Sequence, residues 1–268
     1  MCSSDLDAPV KFSLRTAVGC AALAALCATA AADINTPDVP VASYKKAAEA
    51  DLKFVQTRVA EVAKVAASGD KVKDGQYKPA IGAALMLTAY ADALGDATLK
   101  AEALKVAEAL QKKDFKAAGE LAAKLALKPG TGKLGPLAKP FKDGVQLEVV
   151  MQPYRVTVGG GMGIEKDIRD AIKKDSPPKL DPAAVELLAV RAAVLNAYSF
   201  HVPNEKATIK AENKKLWEKY STESVGIAKD LAVEAAKGAK ADEKKMRALM
   251  SGLDGRCKEC HNKFRDDE

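Results

Sequence analysis

The chain has 268 residues, enough for one large domain or two small ones, and a formal net charge of +6 from 42 Lys and Arg against 36 Asp and Glu. Aromatic residues make up only 5% while alanine, lysine, leucine and glutamate abound, so helix is favoured over sheet nearly everywhere. The positive excess is mild and spread along Lys/Glu-rich stretches, and no Lys/Arg cluster is interleaved with aromatics, which excludes a nucleic-acid footprint.

Residues 1–32 read as a secretory signal segment. Lys11 and Arg15 form its charged region, an apolar run from Thr16 to Ala31 its core, and Ala30-Ala31-Ala32 a small-residue cleavage site before Asp33. The run is too short and alanine-rich to favour an anchor, and no later stretch reads as apolar enough to span a bilayer. Cys20 and Cys27 would leave with the signal, and neither is well placed for lipidation. The expectation is a chain exported to the periplasm or beyond, in an oxidising compartment, without a structural disulfide.

Four helices are expected in a first half, residues 33–130. Ser43 is a plausible N-cap for a helix to about Ser68, with Leu52, Val55, Val59, Val62 and Ala66 as its buried stripe. Pro79 in a first turn and Gly95 as a stop delimit the next. Helices over about 97–111 and 115–127 follow, the second capped by Asp114. Glycines and prolines between Lys128 and Asp143 predict a boundary. The first half has neither cysteine nor histidine, and a structural role is expected for it.

The second half, residues 140–268, opens with a short element from Val145 to Met151, stopped by Pro153, and then Gly159-Gly160-Gly161-Met162-Gly163. No strand pattern surrounds that glycine run, so it is not a dinucleotide fingerprint; it reads as a turn, or as a place of close backbone approach. Helices are expected over about 164–175, from Pro182 (capped by Asp181) to about Phe200, over 205–237 with the lone Trp217, and from Asp242 to the end.

That last helix carries Cys257-Lys258-Glu259-Cys260-His261, the Cys-x-x-Cys-His pattern of covalent haem c attachment, in which both thiols add to haem vinyl groups and the imidazole binds iron. On a helix the three side chains share one face, and Met246, Leu249, Leu253, Cys257, Cys260 and Phe264 continue it as a buried stripe. Three other readings compete, one of them a chance match of the pattern. A structural zinc site needs four ligands, and these three sit too close together unless a distant residue completes the set; the other histidine is His201. A thioredoxin-like pair needs its first cysteine at a helix N-terminus, whereas this pair lies near a C-terminal end, where the helix field is opposite.

The motif, its place near the C-terminus and the following Phe264 and Arg265 resemble the class II c-type cytochromes, the cytochrome c prime group and its low-spin relatives. The resemblance implies an all-α fold, an antiparallel four-helix bundle over residues 140–268 preceded by a second helical, bundle-like half. It implies one haem c on Cys257 and Cys260, with His261 as proximal iron ligand. In an up-down-up-down bundle the sixth iron position faces Met151 or Met162, near the start of the bundle, or His201, at the close of its second helix. In the resembling family that position is an apolar wall or a methionine of the first helix. The function implied is single-electron transfer, with redox proteins as partners, homodimer pairing as an option, and no nucleic acid. The alternative is a gas-binding (NO or CO) or sensing haem protein with five-coordinate iron. No paired carboxylates or nucleophile–base constellation suggests an enzyme.

Overall fold

In the computed structural model, residues 36–265 are described except 129, 133, 135, 136 and 138–143; the expected signal segment with Cys20 and Cys27 lies outside them. The described residues are all-helical, with no strand among them. Ten α-helices run α1 (Val41–Ala67), α2 (Asp74–Leu94), α3 (Ala97–Gln111), α4 (Phe115–Ala122), α5 (Leu147–Met151), α6 (Ile164–Ala171), α7 (Pro182–His201), α8 (Glu205–Thr208), α9 (Ala211–Ala235) and α10 (Glu243–Phe264).

Most start and stop signals act as expected. Asp114, Asp181 and Asp242 accept hydrogen bonds from the first-turn amides of Ala117, Ala183 and Lys245. Gly95 closes α2 in the left-handed region at φ 67°. Ser43 does not cap α1. It lies inside the helix, buried, where its hydroxyl donates to Glu186 Oε1 of α7 at 2.6 Å. Pro79 is not in a first turn either, because α2 begins at Asp74. A proline there leaves the Gly75 carbonyl without its helical donor. Gly160, at φ 85°, lies so close to that carbonyl that a Cβ would stand 2.3 Å from the oxygen. The glycine run is thus a site of close approach to a neighbouring helix.

The helix expected over 205–237 is broken into α8 and α9. Asn204 caps α8, and the Asn213 side chain bonds the Lys206 carbonyl at 2.8 Å, so local side-chain bonds replace the helical ladder at the break. The second half opens, as expected, with short pieces: α5, two 3-10 turns (Gln152–Tyr154 and Thr157–Gly159) and α6, which ends at Ala171 rather than near residue 175. Pro153 and the glycines that follow account for the interruption.

The described residues form one compact unit, and buried side chains on both sides of 128–143 belong to one continuous core. The segment expected as a boundary is partly tied down. The Lys128 amide donates to the buried Asp96 carboxylate at 2.5 Å and the Gly130 amide to Leu94 O at 2.8 Å. A Cβ on Gly132 would stand 2.3 Å from Ala93 O.

Helix α7 is the shared element, packing on α9 and also on α1, α2 and α5. Against expectation it is a later stretch long and apolar enough to cross a membrane, and its side chains are instead mostly buried in this core. Tyr198 Oη meets Thr88 Oγ1 of α2 at 2.8 Å. Arg191 Nε and Nη2 donate to Asp51 Oδ1 of α1 at 2.9 and 2.5 Å, and Tyr90 Oη donates to Oδ2 at 3.0 Å. Asp51 is fully buried, and burial raises its pKa against the opposing pull of Arg191 and Tyr90. Removing one partner would strand the other's charge in the core. Arg191→Met is therefore expected to lower unfolding free energy by about 3–5 kcal/mol, measured as a reduced urea midpoint at unchanged slope; a loss under about 1 kcal/mol would mean the pair is solvated.

Candidate functional site

The C-terminal end of α10 is held on three sides. Phe264 is buried, edge-on to Trp217 at 5.3 Å between ring centres and to Tyr220 at 6.3 Å, both of α9. Trp217 is itself fixed by its indole N–H, which donates to Ser199 O at the end of α7 at 3.0 Å. Asn204 donates to Phe264 O at 2.6 Å while its carbonyl oxygen caps α8, and Lys206 donates to Arg265 O at 2.9 Å. Lower down, Arg247 reaches the Ala171 carbonyl of α6 and Pro178 O. These bonds use terminal carbonyls that the helix cannot satisfy itself.

Between α10 and its neighbours lies a cavity of about 590 Å³. Cys257, Cys260 and His261 all line it, so the spacing does put the three on one face. The facing walls come from α5 and the turn after it (Leu147, Met151, Tyr154, Arg155), from α6 (Ile168, Arg169), from α7 (Asn196, Ser199) and from α9 (Trp217, Tyr220). Of the three candidates for the sixth iron position, Met151 lines this cavity. Met162 does not; from within the glycine run it is buried in the main core. His201 ends α7 with its ring edge-on to Phe200 at 5.3 Å, also away from the cavity lining.

Cys257 and Cys260 are unpaired thiols. Burial pushes the Cys257 thiol up to about 12, helped by Cys260, Asp254 and Glu165, and pushes Cys260 up to about 11. They are protonated at neutral pH, the reverse of the low-pKa thiol a disulfide oxidoreductase needs. His261 stands exposed at the cavity mouth, backed by protein on its inner side. That desolvation, with Arg265 beside it, lowers the imidazole pKa, which keeps the ring neutral and able to bind a metal. Among the described residues no group of three or more His, Cys, Asp or Glu is placed to hold a metal ion by itself. The donor set therefore does not close a protein-only zinc tetrahedron.

No family model, curated protein or solved structure matches the chain.

Several cavity residues were not singled out in sequence. Tyr154 lies three residues after Met151, and its hydroxyl accepts a hydrogen bond from Asn196 Nδ2 at 2.9 Å. Its phenol pKa is raised well above the ordinary value, by burial first and then by Cys257. Asn196 and Ser199 sit among the mostly apolar residues of α7, and an i, i+3 offset from Met151 was the one available pointer to Tyr154.

The raised thiol pKa values predict slow alkylation of the haem-free chain. Reaction with iodoacetamide at pH 8 should run far below the rate of free cysteine and rise steeply only above pH 10, as the thiolate fraction grows; a rate equal to free cysteine at pH 8 would mean the thiols are not shielded.

Proposed function

We propose that this chain is an exported c-type cytochrome of the class II kind, carrying one haem c on Cys257 and Cys260 and transferring single electrons. The observation that carries the reading is that both thiols, the adjacent imidazole and one methionine line a single cofactor-sized cavity of about 590 Å³ walled by Trp217, Tyr220, Phe264 and Ile168.

The residues fit the group. Two free thiols three positions apart would form the thioether links, and His261, held neutral, would bind the iron from one side. Met151 supplies a soft thioether from another wall. Arg155, whose guanidinium reaches the Gln152 amide at a long 3.4 Å, is suited to pair with the carboxylates of the haem. The bound haem would supply a one-electron couple at the iron. The chain's part is rigidity and exclusion of water. The aromatic cluster and the clamped end of α10 fix the motif, and covalent links would prevent loss of the group. Export, expected from residues 1–32, agrees with attachment outside the cytoplasm.

Redox protein partners follow from this reading; the gas-binding alternative requires that no protein group take the sixth position. Visible and near-infrared spectra separate the two. Protein made with a c-type maturation system should be low-spin when oxidised, with a weak near-infrared charge-transfer band, and Met151→Ala should convert it to high spin. Unaltered protein that is already high-spin and takes up carbon monoxide readily would replace electron transfer by gas binding. A low-spin spectrum indifferent to Met151→Ala would remove Met151 as ligand.

A further inference from the structure

The cavity wall opposite no single helix but formed by residues 147–155 presents two different chemical groups, the Met151 thioether and, three residues on, the Tyr154 phenol. The hydrogen bonding of Tyr154 is one-sided. Asn196 Nδ2 donates to Tyr154 Oη at 2.9 Å and to Ala192 O at 2.8 Å, so both protons of that amide are committed. Tyr154 Oη thereby accepts one good bond. Its own proton has, among the described residues, only Ala192 O at 3.4 Å, a carbonyl already bonded at close range by Asn196. A half-buried hydroxyl that accepts a good bond and makes a poor one has donor capacity to spend. The bond it accepts also polarises the O–H and strengthens it as a donor. Two polar groups near Tyr154 on α7 and α9 are committed elsewhere. Ser199 Oγ donates to Asn196 O at 2.8 Å, and Trp217 Nε1 is spent on Ser199 O.

We propose that Tyr154, held by Asn196, is a hydrogen-bond donor for a small anionic or dipolar ligand entering the cavity beside Met151, so that the pocket favours ligands that present an acceptor atom over those that do not. The inference rests on the haem reading, because the ligand would be an external one that displaces Met151 from the iron. Tyr154 then selects among ligands through the phenol proton without itself binding metal. An acceptor-bearing anion such as azide gains the bond. Imidazole does not, because once its bare nitrogen is on the metal its outer nitrogen carries a proton and only donates.

The test uses the haem-loaded full chain and its Tyr154→Phe variant, which keeps the ring and removes only the hydroxyl. Azide and imidazole are titrated separately into the ferric protein and followed in the main visible absorption band. Azide should bind about tenfold more weakly to the variant, the loss of one hydrogen bond to a charged acceptor, while imidazole affinity stays within about twofold. Equal azide affinities in the two proteins would overturn the donor role, and azide and imidazole weakened together would assign Tyr154 to packing instead. Protein that matures without covalent haem would overturn the haem reading and this inference with it, whereas haem-loaded protein with unchanged azide binding would overturn this inference alone.

Discussion

The structure depends on a charge held where water cannot reach it. Asp51, fully buried on α1, is matched by Arg191 of α7 and by the Tyr90 hydroxyl of α2, so one carboxylate ties three helices. Such a network contributes less to net stability than to uniqueness, because any other register of α1 against α7 would leave the carboxylate or the guanidinium unpaired in the core. A second contact reinforces the same register. Ser43 and Lys46 of α1 both reach Glu186, one turn and a half earlier on α7. With α7 fixed by its partners from the first half, its other side becomes a firm surface for α9, and α9 in turn receives α10.

The functional end inherits that rigidity. Ser199, at the close of α7, receives the indole proton of Trp217, Trp217 receives the edge of Phe264, and Asn204 holds the last carbonyl of α10. The cysteines and His261 thus sit next to the anchored end of the last helix, as the proposed redox site would require. The half without cysteine or histidine contributes here as well. Through α7 it supports the cavity from behind, and through the Gly75–Gly160 contact it supports the strip that bears Met151 and Tyr154.

Helix existence and most ends were legible in sequence because they rest on local chemistry: aspartate caps, Gly95 at positive φ, and apolar steps of three and four. The exceptions have tertiary causes. Ser43 is drawn into a helix by a partner 143 positions away, and Pro79 lies inside α2, where Gly160 packs against the Gly75 carbonyl that the proline leaves without a helical donor. The break at Ile209 depends on side-chain bonds that periodicity does not weigh, whereas the short elements around Pro153 and the glycine run were expected. Of the site, the motif on α10 was legible from spacing alone. The choice of Met151 over Met162 and His201 was not, since all three fit the expected end of a bundle and only the fold of residues 151–163 turns Met162 into the core. The Tyr154–Asn196 pair joins residues 42 apart and had no signature beyond helical spacing from Met151.

In the proposed reading Cys257 and Cys260 are haem attachment points on an exported chain. The most direct test is the intact mass of the protein recovered after expression with a signal-peptide export route and c-type maturation, followed by peptide mapping. The expected product is a chain beginning near Asp33, heavier by one haem, with the added mass on the single peptide that contains Cys257 and Cys260. A chain of unmodified mass, or haem lost on denaturation while both thiols remain free to alkylate, would contradict it.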